Sequence, residues 1–298
     1  MTLDTTTMDL QSNLTDSRMP DELVGEYAAR QHYFAMTDEH LHPHYEMYIL
    51  LAGERQYFIR DQVYTVHAGD IVFIGKHELH RTLPGQLPEH ERIVLYFNDT
   101  FATKRLGAYA NWLLTLFDPT HPVYRPQHRQ HMLHEIIQQL VRELNTRAQG
   151  YQLMVEQLAI QILLHCARQP SDQPTRVDSS SRSAVQGQMS AVARHIREHY
   201  TEPLPLQRLA EQCHLSPAHL SRIFKKTTGF HVTEYINTIR VQAARELLSH
   251  TEMRIIDVAA AAGFGNVSHF GKVFKHICHI SPRQYRQTER KKQALPQQ

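Results

Sequence analysis

The sequence predicts an α+β multidomain protein, with an N-terminal β-barrel and helical hairpin followed by an all-α C-terminal domain that has two helix-turn-helix units. Three observations predict it. Short strand-like runs separated by turns reach residue 97, the apolar residues then take up helical spacing, and the last third of the chain contains one helical pattern twice. A chain of 298 residues has room for about two such domains.

Five short strands are predicted between residues 39 and 97. They cover residues 48–51, 56–60, 63–67, 71–74 and 93–97, and turns are expected at residues 52–53, 61–62 and 68–70. Strands of this length and spacing predict a small barrel or sandwich. We place the barrel at residues 21–125, after a disordered N-terminus at residues 1–20.

Two amphipathic helices are predicted next, at residues 126–168. Apolar residues recur at helical spacing from Leu133 to Leu144 and again from Val155 to Cys166, on either side of Gly150. Helices joined in this way form an antiparallel hairpin. The apolar stripes either pack on the barrel alone or also form the seam of a homodimer, which is the oligomer we expect. Residues 169–188 are rich in serine and proline and predict a linker.

Charge separates the two parts of the chain. Residues 189–298 contain 16 lysines and arginines against 8 acidic residues, whereas residues 1–188 contain 16 against 22. The overall charge of +2 therefore conceals a basic C-terminal part, which points to a polyanionic partner.

The cysteines indicate a reducing compartment. Cys166, Cys213 and Cys278 are far apart and lie in apolar helical patterns, which favours buried thiols over disulfides. No run reaches the roughly 18 apolar residues that span a bilayer, and the first residues lack the pattern of a secretion signal. We expect a cytoplasmic protein that has no membrane partner.

The repeated pattern lies in a domain that we place at residues 189–290, before a tail at residues 291–298. The second copy follows the first by 49 residues in the first helix and by 50 residues in the second helix. In the first copy, Ser216 caps a helix that begins with Pro217. Its outer face carries the candidate DNA contacts Ala218, Ser221, Arg222 and Lys225. Arginine on such a face makes bidentate contacts with guanine in the major groove.

The second copy has the same organisation. Gly263 occupies the tight turn and Asn266 is a favourable cap for the second helix. Its outer face carries the candidate DNA contacts Val267, Ser268, Lys272 and Lys275. A long helix from Thr233 to Leu248 connects the copies, so that their recognition helices can enter major-groove segments about one turn (~34 Å) apart.

Residues 189–290 resemble the DNA-binding domain of AraC-type transcription regulators. The resemblance is strongest in Ile256-Asp257-Val258-Ala259, Gly263-Phe264, Ser268-His269-Phe270, Phe274-Lys275 and Ser281-Pro282-Arg283-Gln284-Tyr285-Arg286. It implies base contacts from Ala218, Ser221, Arg222, Val267, Ser268 and Lys272. Double-stranded promoter or operator DNA is the partner implied, while activation of transcription and contact with RNA polymerase stay open.

A group of polar residues in the barrel predicts an effector pocket. His42, His44 and Glu46 alternate as they would on one face of a strand, and His80 follows downstream. Such side chains could also bind a divalent metal. The segment resembles the cupin barrel that often precedes AraC-type domains, although it departs from the metal-binding pattern. A single residue, Tyr45, separates His44 from Glu46, and Gly75 stands where proline is usual.

These residues predict a regulator, not an enzyme, that binds DNA in response to a small-molecule effector, with a sugar or related metabolite expected from the resemblance. We expect no cofactor and no metal. Two alternatives stay open: a metal-dependent cupin enzyme fused to a DNA-binding domain, and a constitutive regulator whose barrel serves only for dimerisation.

Overall fold

The computed structural model describes residues 22–31, 42–126, 131–168 and 184–294. The chain divides into two compact units, Met1–Ser181 and Arg182–Gln298. The N-terminus that we expect to be disordered lies outside the described residues. Residues 169–183 of the expected linker also lie outside them. No helix in the described part of the chain is long and apolar enough to cross a membrane.

The described part of the first unit contains seven antiparallel strands. The first, the fifth and the seventh of them were not predicted from the sequence. The strands are β1 (Leu23–Arg30), β2 (Tyr45–Ile59), β3 (Gln62–His67), β4 (Ile71–Ile74), β5 (His80–Pro84), β6 (His90–Phe97) and β7 (Val123–Tyr124). One sheet has the order β1-β6-β2-β4-β7, while β3 and β5 pair with the second half of β2. Strand β2 therefore contributes to both walls of the barrel.

The turn predicted at residues 52–53 is wrong, because β2 continues through it. The register with β6 shifts between Leu50 and Ala52, and Gly53 has φ +86°. A Cβ atom at Gly53 would lie 2.4 Å from the carbonyl oxygen of Glu89. The glycine thus marks a bulge where the strand passes from one wall to the other, and a bulge and a turn have the same sequence signal.

The helical hairpin is present as predicted. Helix α1 (His131–Thr146) and helix α2 (Tyr151–Arg168) are joined at Gly150, which has φ +84°. Their apolar stripes pack on one face of the sheet, in a core that includes Met47 and Ile49. Tyr48 and Leu50, the alternate residues of β2, belong to a second core inside the barrel. Alternation along the strand therefore separates the hairpin core from the barrel interior.

Seven helices form the described part of the second unit. They are α3 (Ala184–Glu198), α4 (Leu206–Gln212), α5 (Pro217–Thr228), α6 (Val232–His250), α7 (Ile255–Ala261), α8 (Val267–Cys278) and α9 (Pro282–Ala294). Helices α4 and α5 form the first helix-turn-helix unit, α7 and α8 form the second, and α6 connects them. Two boundaries differ from the predicted ones. The first is the end of the domain, because α9 continues past residue 290 to Ala294.

The second shift concerns the linker, whose last residues are helical. Helix α3 begins at Ala184, five residues before the predicted start at Met189. The side-chain amide of Gln188 donates to the carbonyl oxygen of Cys213 at 3.1 Å, and Met189 is fully buried. These tertiary contacts hold the first turns in a helix although Gln186 and Gly187 give them no apolar pattern.

Candidate functional sites

The outer face of α5 is exposed as the sequence predicted. The Ser216 hydroxyl accepts a hydrogen bond from the backbone N–H of His219 at 3.3 Å, and Pro217 occupies the first turn. Leu220 and Phe224 are buried on the inner face. On the opposite side Ala218, Arg222 and Lys225 are exposed and Ser221 is half-buried.

Helix α8 repeats this arrangement. The side-chain oxygen of Asn266 accepts hydrogen bonds from the backbone N–H groups of Ser268 (2.8 Å) and His269 (3.1 Å). Phe270 and Phe274 are fully buried. The outer face carries the exposed residues Val267, Ser268, Lys272 and Lys275. Both recognition helices therefore present their candidate contacts to solvent.

The backbone of the two units repeats as closely as their helices. His214 (φ +54°) and Gly263 (φ +83°) take the left-handed conformation at corresponding positions of the two turns. Gly229 (φ +84°) and His279 (φ +59°) do so at the ends of α5 and α8. A Cβ atom at Gly263 would lie 2.5 Å from the carbonyl oxygen of Tyr200, so that only glycine fits the second turn.

The basic residues on these faces differ in their surroundings. The ammonium group of Lys225 donates to Nε2 of His231 at 2.8 Å, which holds this side chain close to the protein. Among the described residues, Arg222 has no hydrogen-bond or ion-pair partner. A solvated guanidinium of this kind keeps all five of its donors for a ligand.

One residue that connects distant segments of the C-terminal helical domain was not identified from the sequence. Arg240, on α6, donates to the carbonyl oxygens of Tyr200 and Glu202, each at 2.8 Å. Its guanidinium also lies 5.8 Å from the ring centre of Phe264 in the second unit. Arg240 thereby connects the loop before α4 with the turn between α7 and α8 of the second helix-turn-helix unit. A single polar residue on a long helix gives no sequence signal for such a role.

In the barrel, three of the four expected pocket residues converge. Glu46 is fully buried, and its Oε2 atom lies 3.1 Å from Nε2 of His42 and 3.1 Å from Nε2 of His80. The Tyr57 hydroxyl donates to the other carboxylate oxygen at 3.4 Å. The cluster formed by His42, Glu46 and His80 is called the His–Glu cluster below.

The hydrogen bonds of the two rings determine what the His–Glu cluster can hold. Nδ1 of His42 lies 3.0 Å from the carbonyl oxygen of His44, and Nδ1 of His80 lies 2.8 Å from that of Glu78. A carbonyl oxygen only accepts, so each Nδ1 carries a hydrogen. In a neutral ring Nε2 then carries only a lone pair and acts as an acceptor. Because the Glu46 carboxylate is also an acceptor, the two atoms can lie 3.1 Å apart only with a cation between them. A proton on the ring or a metal ion meets this need.

The charges favour protonation at His80. Burial alone would lower the pKa of His80, but the charge of Glu46 and the hydrogen bond to it outweigh burial and raise that pKa. Burial acts upwards on Glu46, and the charge of His80 with the hydrogen bonds from both rings holds the pKa of this carboxyl well below its usual range. The same three donor atoms lie within 4.8 Å of one another, so their geometry also fits a divalent ion.

His44 lies outside this convergence. Strand β2 begins only at Tyr45, after Pro43, so the alternation assumed for residues 42–46 does not hold at its start. His44 is buried, neither ring nitrogen has a hydrogen-bond partner among the described residues, and its ring stacks on His42 at 6.1 Å. Burial, followed by the charge of His42, lowers the pKa of His44 to about 4.

Comparison with known families follows the division of the chain. A family model described as an AraC-like ligand binding domain matches residues 23–163, which contain all seven strands and most of the hairpin. A second, described as a helix-turn-helix domain, matches residues 209–288, which begin within α4, contain α5 to α8 and end within α9. The two matches together cover most of the chain.

Individual proteins are similar to different shares of the chain. An uncharacterized HTH-type transcriptional regulator of Staphylococcus aureus is 28% identical over 243 residues, which are 80% of this chain but only 30% of that protein. The HTH-type transcriptional activator RhaS of Escherichia coli O1:K1 / APEC is 27% identical over 84% of this chain and 87% of RhaS. The C-terminal domain of AraT, a response regulator from Geobacillus stearothermophilus, is 32% identical over 36% of this chain and 88% of that domain, with a TM-score of 0.34. With one family matched over the barrel and hairpin and the other over the repeated helices, the chain belongs to the AraC-type transcription regulators.

Proposed function

We propose that this chain is a cytoplasmic transcription regulator that binds double-stranded DNA through α5 and α8 and responds to a small molecule held in the barrel. The repeated backbone carries the proposal, since two capped helices with exposed polar faces follow the same left-handed turn. The match to a helix-turn-helix family supports the first part, and the match to a ligand binding family supports the second.

The contacts with DNA divide by chemistry. Arg222 reads a guanine through two parallel hydrogen bonds, and Ser221 and Ser268 accept or donate to several bases. Lys272 contacts a base and Lys225 and Lys275 contact phosphates, while Ala218 and Val267 contact thymine methyl groups. Because Val267 and Gly271 on the second helix have no side-chain group that forms hydrogen bonds, this helix contributes more to affinity than to sequence selectivity.

The effector is a polar metabolite such as a sugar, and the His–Glu cluster together with His44 forms one side of its site. A response of 5- to 150-fold requires a difference of roughly 1–3 kcal/mol in effector binding between two states of the protein. The chain acts as a homodimer through the hairpin, where the large apolar residues Met132 (64%) and Leu153 (60%) remain exposed. The name of RhaS, a transcriptional activator, supports activation as the direction of the response. Contact with RNA polymerase is the route that we propose for it.

A metal-dependent enzyme is the second candidate, because the donor atoms of the His–Glu cluster fit a divalent ion. Metal analysis of the purified chain separates the two. If the chain is a regulator, we expect less than one metal ion per chain and a DNA affinity that chelation does not change. One equivalent of iron or manganese per chain would favour the enzyme. A barrel that binds no small molecule would instead favour a constitutive regulator.

The proposal is tested by DNA binding of the full chain, measured by fluorescence anisotropy at increasing salt. Since lysine and arginine contacts release condensed counterions, affinity should fall at least tenfold between 50 and 200 mM salt, by about 0.9 logarithmic units per contact for each tenfold rise in salt. Equal affinity for a duplex that the chain enriches by in vitro selection and for a duplex of random sequence would contradict sequence-specific binding.

A further inference from the structure

A second group of polar residues lies inside the barrel and takes no part in the His–Glu cluster. Strand pairing places Arg92 opposite both Ala28 and Leu50, and His90 opposite both Arg30 and Gly53. Arg55 follows on β2, two residues beyond the bulge. Arg55 and Arg92 are only 1% and 2% exposed, and His90 is 3% exposed. These three residues, with Tyr48, are called the arginine cluster below.

Arg92 has hydrogen-bonding groups that its neighbours do not use. The terminal nitrogens Nη1 and Nη2 of Arg92 are buried and have no hydrogen-bond partner among the described residues. Glu26 approaches Nη2 only to 3.6 Å, which is an ion pair without a hydrogen bond. Burial lowers the pKa of Arg55; Tyr48 and Tyr57 act in the opposite direction, and the positive charges of Arg92 and Arg30 lower it further. Burial also acts downwards on Arg92, but the charge of Glu26 outweighs it and raises the pKa of Arg92. Guanidinium groups that repel one another in a buried place are stabilised by an anion between them.

Two further groups have unused hydrogen-bonding capacity. The Tyr48 hydroxyl is buried and has no hydrogen-bond partner in the described part of the chain. Nδ1 of His90 lies 3.3 Å from the carbonyl oxygen of Pro88 and therefore carries the hydrogen. Nε2 of the same ring is buried without a partner among the described residues, so it is left as an acceptor. Burial, and then the charge of Arg55, lowers the pKa of His90 to about 4, which keeps the ring neutral.

The unused groups of Arg92, Tyr48 and His90, with the guanidinium of Arg55 beside them, define a complementary ligand. Two guanidiniums recognise the paired oxygens of a carboxylate or a phosphate, which arginine does better than lysine because its donors form a planar fork. An acceptor nitrogen such as Nε2 of His90 recognises a hydroxyl. Leu50, Val66 and Val94 lie in the same core and give the site an apolar part. A small, hydroxylated organic anion satisfies all of these groups at once.

We propose that the effector of this chain carries an anionic oxygen group, which binds between Arg55 and Arg92 inside the barrel, and a hydroxyl group that donates to His90. The inference rests on the proposed function, because it presumes that the barrel binds the effector. It narrows the effector from polar metabolites in general to hydroxylated carboxylates or phosphate esters, with sugar acids and sugar phosphates as the two sources.

The test is ligand binding by the full chain, measured by thermal shift and by calorimetry. The probes are galacturonate and gluconate as carboxylates, glucose 6-phosphate as the phosphate ester, and neutral galactose and glucose. We expect at least one anionic probe to raise the melting temperature and to bind more than tenfold more tightly than its neutral counterpart. Response to galacturonate or gluconate assigns a carboxylate, and response to glucose 6-phosphate assigns a phosphate.

Variants tie the binding to the arginine cluster. Arg92→Lys keeps the charge but removes the planar fork, and should weaken the anionic probe at least tenfold. Arg142→Gln changes an exposed arginine of the hairpin and should leave its affinity unchanged. If Arg92→Lys does not fold, Tyr48→Phe removes only a hydroxyl and should weaken the same probe several-fold.

Three outcomes would overturn the inference: no response to any anionic probe, equal affinity for acid and neutral sugar, or undiminished binding by both Arg92→Lys and Tyr48→Phe. DNA binding measured on the same preparations separates this failure from failure of the proposed function. Selective DNA binding with a barrel that prefers neutral sugars removes only the anionic effector. Loss of selective DNA binding removes the proposed function itself.

Discussion

Replacement of Arg222 by alanine separates affinity for DNA from stability of the fold. Arg222 is exposed and has no hydrogen-bond or ion-pair partner among the described residues, so its removal should change the free energy of unfolding by less than about 0.5 kcal/mol. The lost bidentate contact with guanine should cost about 1–3 kcal/mol of binding, which is roughly 5- to 150-fold. The loss should be confined to duplexes that carry this guanine.

Fluorescence anisotropy with a selected duplex and with a scrambled duplex measures this difference. Lys226→Ala is the matched control, since it removes an exposed charge from the same helix at a position outside the proposed contacts. Lys225→Ala should weaken both duplexes to a similar extent, because a phosphate contact is independent of sequence. Equal losses for Arg222→Ala on both duplexes would show that α5 reads DNA through another face.

Three further predictions concern the turns and the barrel. Gly263→Ala should destabilise the second helix-turn-helix unit by about 2–4 kcal/mol in chemical unfolding, since its Cβ atom would lie 2.5 Å from the Tyr200 carbonyl oxygen. Gly271→Ala, whose Cβ atom would have nothing within 4 Å, should stabilise the same unit by about 0.5–1 kcal/mol. Equal effects of the two changes would refute the close approach. Gly53→Ala should cost more stability than Gly69→Ala, because both have positive φ but only Gly53 faces a backbone atom at 2.4 Å; the reverse order would count against the bulge. The double change His44→Ala and His80→Ala should lower effector-dependent transcription and leave affinity for the operator without effector within a few fold, and a normal response in a reporter assay would place the effector elsewhere.

The C-terminal domain could be predicted closely because its signals are local. Ser216 and Asn266 cap the helices that follow them, and Phe224 and Phe274 are buried at the same point of each copy. Such caps and apolar spacings act within a few residues, where sequence is sufficient. The early start of α3 was missed because Gln188 is held by a contact with Cys213, 25 residues away.

The barrel was predicted less completely because its polar residues face inwards. Arg55 stands between Glu54 and Gln56, and Arg92 follows Glu91, and polar runs of this kind ordinarily indicate a solvent-exposed surface. Both are buried, because the sheet closes around them. Closure depends on strand pairing between distant segments, such as β1 with β6, which periodicity along one strand does not contain. The His–Glu cluster was found because histidines and a carboxylate at close spacing are unusual.

In vitro selection of duplexes by the full chain tests the central claim most directly. Starting from random sequence, a regulator with two recognition helices on one connecting helix should enrich a motif with two conserved segments about 10 base pairs apart. Arg222→Ala should lose the preference at one position within a single segment. Recovery of unenriched, random sequence by the wild-type chain would contradict the account that its repeated helices read DNA.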